Sequence, residues 1–223
     1  MMFNYGKTFD PNFMKAHDFN NMNQFIHGYY MDENDIKICD ELIQYFKNTP
    51  EAKIAFNNNN IDTCFVFDVK LRAKYNTIMT KMIANYYKMY PFAFIENAGF
   101  IEHLAINCYN GGKSRTWNEE LLPSPVIRYR HFGFNTFLTD NGEESVELNF
   151  FHQKITLKTE KGLTFIWPEN WTHNNSLTNP NNKENYVLSG YISIEEPRKQ
   201  KPVFMDSDEP LTYNFDGDKE QIA

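Results

Sequence analysis

Thr164-Phe-Ile-Trp-Pro-Glu-Asn-Trp-Thr-His173 is the stretch on which the fold turns. An apolar run of strand character meets a proline, and the turn that follows presents a single histidine at its end. A short continuous apolar run bounded by turn residues reads as a strand with both faces covered. Upstream, Trp117-Asn118-Glu119-Glu120 offers a second small cluster of polar side chains beside a tryptophan.

Around this stretch the period of the chain changes. Before about residue 98 the apolar residues recur at three and four. Ile36, Cys39, Leu42, Ile43 and Phe46 share one face of a helix expected over 32–47. Leu71, Tyr75, Ile78, Met82, Ile83 and Tyr86 do the same over 69–90. Asn57-Asn-Asn-Asn60 breaks the two. Afterwards the period is two, with strands expected near 100–109, 130–138, 145–151, 154–159, 162–167 and 185–194. Asp140-Asn-Gly142 and Glu160-Lys-Gly162 read as hairpin turns between them, because Asn and Gly tolerate positive φ. Helices first and many short strands later point to a β-sandwich or jelly roll backed by helices. The organisation expected is an arm over 1–27, one domain over 28–196 and a charged tail over 197–223.

The 223 residues are 41% hydrophobic and 16% aromatic, enough for one sizeable core. A net charge of −7 disfavours a phosphate-binding surface, so no nucleic acid partner is expected. No apolar run has the length of a signal or a membrane span, so a soluble, intracellular protein is expected. Cys39, Cys64 and Cys108 have no metal-type spacing and read as free thiols.

Taken together, these motifs resemble the 2-oxoglutarate/Fe(II)-dependent oxygenases, in particular the prolyl-4-hydroxylase-like members that phages encode. The resemblance covers roughly residues 28–194. It implies a double-stranded β-helix, the jelly-roll core of that family, with N-terminal helices buttressing one sheet. Non-haem iron in such a site takes two imidazoles and one carboxylate on one face, which leaves positions open for 2-oxoglutarate and O₂. By the resemblance the metal positions are Asn118, Glu120 and His173, and the 2-oxoglutarate positions are Tyr109, Lys183, Asn185 and Arg130. Tyr109 precedes Asn110-Gly-Gly112, Phe137-Leu-Thr-Asp140 follows the strand that Arg130 leads, and Ser145-Val-Glu-Leu-Asn-Phe150 replaces a double-glycine motif.

Two positions depart from the family. Asn118 stands where a histidine should bind iron, and a neutral amide oxygen is the weaker ligand. Asn185 stands where a lysine normally pairs with the distal carboxylate of 2-oxoglutarate, and an amide brings no charge. Lys183, two residues earlier, faces the same side if the segment is extended, and His131 and His103 are candidate replacement ligands for iron. Trp117, Trp167 and Trp171 with Phe132, Phe134 and Phe165 could form a stacking platform, but alternation sends several of them to the core.

The resemblance thus implies a hydroxylase acting on an aliphatic carbon, a peptidyl proline being the family's example. The alternative is the same shell without chemistry, kept as a module that binds a protein or peptide or builds a virion.

Overall fold

A computed structural model describes residues 25–49, 53–56, 61–96, 98–100, 102–110, 114–115, 129–180 and 182–194. Two helices precede most of the strands. Helix α1 spans Lys37–Asn48 and buries Ile38, Cys39, Leu42 and Phe46. It starts later than the expected 32, because the Asp32 carboxylate accepts from the backbone N–H groups of Asn34 and Asp35 and holds a turn there. Helix α2 spans Val69–Met89, capped by Asp68, whose side chain accepts from Leu71 N–H. Pro91 follows its end, where it cannot continue the helix.

The strands are β1 (His27–Tyr30), β2 (Lys53–Phe56), β3 (Ile61–Phe65), β4 (Ala98–Gly99), β5 (Ala105–Tyr109), β6 (Ser114–Arg115), β7 (Arg130–Phe137), β8 (Glu147–Phe150), β9 (Ile155–Lys158), β10 (Leu163–Pro168), β11 (Asn175–Thr178) and β12 (Asn185–Ile194). They form two antiparallel sheets among the described residues. The major sheet runs β1-β10-β7-β12-β5-β3-β2, with β4 also pairing β12, and the minor sheet runs β6-β11-β8-β9. From β5 onward the chain passes back and forth between the sheets, with only the β8–β9 hairpin staying in one, in the manner of a double-stranded β-helix, so the expected jelly roll with supporting helices is the fold observed.

Two cores result. One lies between the helices and the major sheet and holds Leu42, Tyr75, Met79, Tyr86, Phe132, Phe134 and Leu188. The other lies between the sheets and holds Tyr109, Phe137, Phe150, Phe165, Trp167, Leu177 and Val187. Register explains the split. Val187 opposes Phe137 and Asn107 on the inner face, whereas Leu188 opposes Thr136 and Ile106 on the helix face.

Both expected hairpins are corrected. β7 pairs with β10 and β12, not β8, and β9 pairs with β8, not β10. The turns at 140–142 and 160–162 therefore carry the chain from one sheet to the other. Their glycines do take positive φ, +59° at Gly142 and +81° at Gly162. Gly162 is also pinned by its N–H to Phe137 O at 2.8 Å, and a Cβ there would press on Ile36. The true hairpin in this region is β8–β9, through residues 151–154. All three cysteines are buried free thiols. Trp167, Phe132, Phe134 and Phe165 are buried as alternation implied, but Trp171 is 65% exposed. The expected tail over 197–223 lies outside the described residues, as does the expected arm up to residue 24. His27, the last residue of that arm, is the first of β1.

Candidate active site inside the jelly roll

His173 ends a short 3-10 turn, Trp171–His173, that links β10 of the major sheet to β11 of the minor sheet. Its ring is buried and stands edge-on to Phe150 at 6.5 Å, and Phe150 in turn meets Trp167 at 5.4 Å. Nδ1 lies 2.9 Å from Thr172 Oγ1 and 3.3 Å from Asn170 Oδ1. Asn170 fixes the turn as well, accepting from Thr172 N–H at 3.0 Å. A histidine oriented through Nδ1 has the arrangement of a metal-binding imidazole, whose second nitrogen would be the ligand. The other expected metal positions, Asn118 and Glu120, lie outside the described residues, as does Trp117. Among the described residues no three metal-capable side chains gather. His131 is turned away from the interior, with Nε2 2.6 Å from Ala93 O. His103 sits at the surface between Arg72 and the ring of Phe67.

Tyr109 and Asn185 are direct cross-strand partners on the inner face, so the structure brings these two together. The Tyr109 side chain is fully buried in the core between the sheets. Asn185, 2% exposed, is the hub of a carboxamide cluster. Its Oδ1 accepts from Asn141 Nδ2 at 3.0 Å. Its Nδ2 donates to Asn179 Oδ1 at 3.2 Å and to the carbonyls of Lys183 and Glu144 at 3.3 Å. Asn179 Nδ2 donates to the Tyr109 and Lys183 carbonyls at 3.0 Å each. His173 precedes β11 and Asn179 follows it, so the cluster and the histidine turn lie at opposite ends of that strand.

Lys183 contributes its backbone to that cluster, while its side chain, more than half exposed, pairs with Glu144 at the surface. Arg130 donates to both oxygens of Glu102, Nε at 2.9 Å and Nη2 at 2.6 Å, and lies 3.5 Å over the ring of Tyr191. It pairs with Ser193 near the end of β12, whereas Asn185 begins that strand. The structure does not bring Arg130 and Asn185 together.

Asn185, expected from the sequence to stand in place of a cation for 2-oxoglutarate, is a neutral amide already bonded to its neighbours. His173 is thus an oriented imidazole with no trio of metal-capable side chains gathered around it among the described residues, and the bonded amide of Asn185 is a poor fit for a dicarboxylate.

Between the two ends, the inner wall carries a row of polar side chains not singled out from the sequence. Thr63 Oγ1 donates to Asn107 Oδ1 at 2.7 Å, Asn107 Nδ2 to Ser189 Oγ at 3.1 Å, and Ser189 Oγ to Asn135 Oδ1 at 2.7 Å. The row crosses β3, β5, β12 and β7, and all four residues are buried. The signal was present as polar residues at alternate strand positions otherwise filled by core residues, such as Asn107 between Ala105 and Tyr109.

Neither family models nor curated proteins match the sequence. Solved structures do match the fold. The viral collagen prolyl hydroxylase of Paramecium Bursaria Chlorella virus-1, solved as its 2OG complex, aligns with a TM-score of 0.59 at 12% identity, covering 77% of this chain and 97% of its own. A Pseudomonas putida prolyl-4-hydroxylase gives 0.58 at 9% identity, covering 78% and 94%. The Trichoplax adhaerens prolyl hydroxylase, solved with a peptide fragment of the oxygen degradation domain of hypoxia inducible factor, gives 0.54 at 10%, covering 79% and 87%. The double-stranded β-helix of this chain is the fold of the prolyl 4-hydroxylases.

Proposed function

We propose that this chain is a 2-oxoglutarate/Fe(II) dioxygenase-like protein resembling prolyl 4-hydroxylase, with both the iron position at Asn118 and the cosubstrate position at Asn185 altered. The observation that carries this reading is His173, buried on the turn into β11 with Nδ1 held by Thr172 and Asn170. His173, Glu120 and Asn118 would hold the iron. Bound iron with its cosubstrate supplies an oxidant for an aliphatic carbon, a peptidyl proline being the candidate substrate on the likeness to prolyl hydroxylases. Tyr109 and the inner wall would shape the cavity and keep water from it.

A second reading is favoured by one specific observation, the hydrogen-bonded state of Asn185. With no cation delivered there by Asn185 or Lys183, the same shell would serve as a binding or structural module without turnover. Anaerobic titration with ferrous iron and 2-oxoglutarate separates the two. A visible charge-transfer band, lost in His173→Ala, supports the oxygenase. Iron binding without the band supports the altered cosubstrate half. A folded protein that binds neither, even as Asn118→His with Asn185→Lys, would show that these positions are wrongly assigned.

A further inference from the structure

The outer face of the minor sheet presents a second site, on the side away from the interior but sharing the Trp171–His173 turn with it. β8, β9 and β11 turn Glu147, Asn149, Thr156, Ser176 and Thr178 outward, and these residues line a groove of about 800 Å³. That size lies within the range of small-ligand sites, roughly 300–1,000 Å³. Its floor is made of hydroxyls and carboxamides in a fixed order. Thr156 Oγ1 donates to Asn149 Oδ1 at 2.7 Å, and Asn149 Nδ2 donates to Thr178 Oγ1 at 3.1 Å, spanning three strands. Glu147 is paired with Lys158, so the pair brings no net charge.

An aromatic ridge bounds one end. Phe151 is 57% exposed and Trp171 65%, with His152 between them, the ring centroids 5.2 and 6.0 Å apart in edge-on contact. The two turns that carry these rings are tied together. Phe151 N–H donates to Asn174 O at 3.0 Å, and Gln153 Nε2 to Thr172 O at 2.9 Å. The hairpin closes through Lys154 at φ +55°, a conformation a lysine adopts at some cost. The rings are thus held out toward water by a built framework.

Exposed aromatic area leaves apolar surface in water that a ligand gains by covering. Nucleic acids and sugar chains are among the polymers that cover aromatic rings and hydrogen-bond beside them. Nucleic acid brings a negative charge with every residue and needs basic side chains. In this groove Glu147 is paired with Lys158, and Lys154 is the one other charged side chain among the described lining residues, too little positive charge for a phosphate chain, on a protein of net charge −7. A neutral sugar chain brings the apolar C–H face of each pyranose to the rings and hydroxyls to the amide and hydroxyl floor. We propose that this groove binds an uncharged oligosaccharide, with one pyranose stacked on the Trp171–Phe151 ridge and the next ones along the Asn149 strip.

The test is titration of the full chain with uncharged hexasaccharides of β-1,4-glucose, α-1,4-glucose and β-1,4-N-acetylglucosamine, followed by calorimetry and tryptophan fluorescence. At least one should bind at micromolar to millimolar concentration. Trp171→Ala and Phe151→Ala should each weaken that binding about tenfold or more, and Asn149→Ala several-fold. Both ring residues are exposed, so their variants should keep the wild-type melting temperature. The proposal is overturned if none of the three sugars binds, or if binding survives Trp171→Ala. It is equally overturned if the same ridge, with the same Trp171 dependence, takes a proline-rich peptide or single-stranded DNA and no sugar.

Discussion

The carboxamide of Asn185 reaches Asn141, Asn179 and the carbonyls of Lys183 and Glu144, and so joins the chain after β7, the chain after β11 and the start of β12. An alanine there would leave several buried polar groups short of a partner. A lost bond of this kind costs about 1–3 kcal/mol when the partner stays buried. Asn185→Ala should therefore lower unfolding free energy by about 2–4 kcal/mol, read as a lower urea midpoint at unchanged slope. An unchanged midpoint would show that the cluster is not a structural support. From sequence, residue 185 was legible only as a missing lysine. Its actual partners come from loops whose meeting point is set by the strand pairing, which local pattern does not encode. His173 was legible because a Pro-containing turn with one terminal histidine is a local feature.

At the scale of elements, long periodic segments were readable and short polar ones were not. α2 announced itself by its apolar spacing, β10 by its apolar run, and β7 and β12 by the period of two that placed strands near 130–138 and 185–194. β11, Asn175-Ser-Leu-Thr178, has one large apolar residue and looked like loop, yet it is the middle of the minor sheet. β1 was hidden in an Asn- and Phe-rich stretch without period. The two Gly-containing turns were recognised, but residue chemistry fixes φ and says nothing about which sheet the next strand joins. β12 gives a direct check on packing between the helices and the major sheet. A Cβ on Gly190 would fall 2.5 Å from Phe134 Cζ and 2.9 Å from Leu104 Cδ2, both in the buried core. Gly190→Ala should destabilise by about 1–3 kcal/mol, the cost of overpacking, and disturb the near-ultraviolet signal of Phe134 and its neighbour Tyr75. A variant as stable as the parent would mean that this core is looser than the contacts indicate.

At the scale of the whole molecule, acid stability should carry the mark of one edge strand. His27 is buried on β1 beside Tyr29, its Nε2 has no hydrogen-bond partner among the described residues, and burial lowers its pKa to about 4. The unfolded chain, titrating near 6.5, binds the proton first, so stability present above pH 6.5 is lost as pH falls toward 4. The slope from this residue approaches about 1.4 kcal/mol per pH unit in that window and levels off below it. His27→Phe should flatten the curve between pH 6.5 and 4, and a curve as steep as the parent's would place the loss elsewhere.

The buried row from Thr63 through Asn107 and Ser189 to Asn135 bears on how such a chain finds its shape. Antiparallel strands dominated by distant pairings collapse slowly and pass through misaligned states. A slip of two residues keeps every apolar side chain facing inward, so hydrophobicity alone does not punish it. Here such a slip of β7 would set Asn135 against Val187 or Tyr191 instead of Ser189, leaving an amide stranded in an apolar interior. The row thus acts as a proofreading mark, readable only when the strands across it are aligned, and it makes correct alignment cooperative across the sheet.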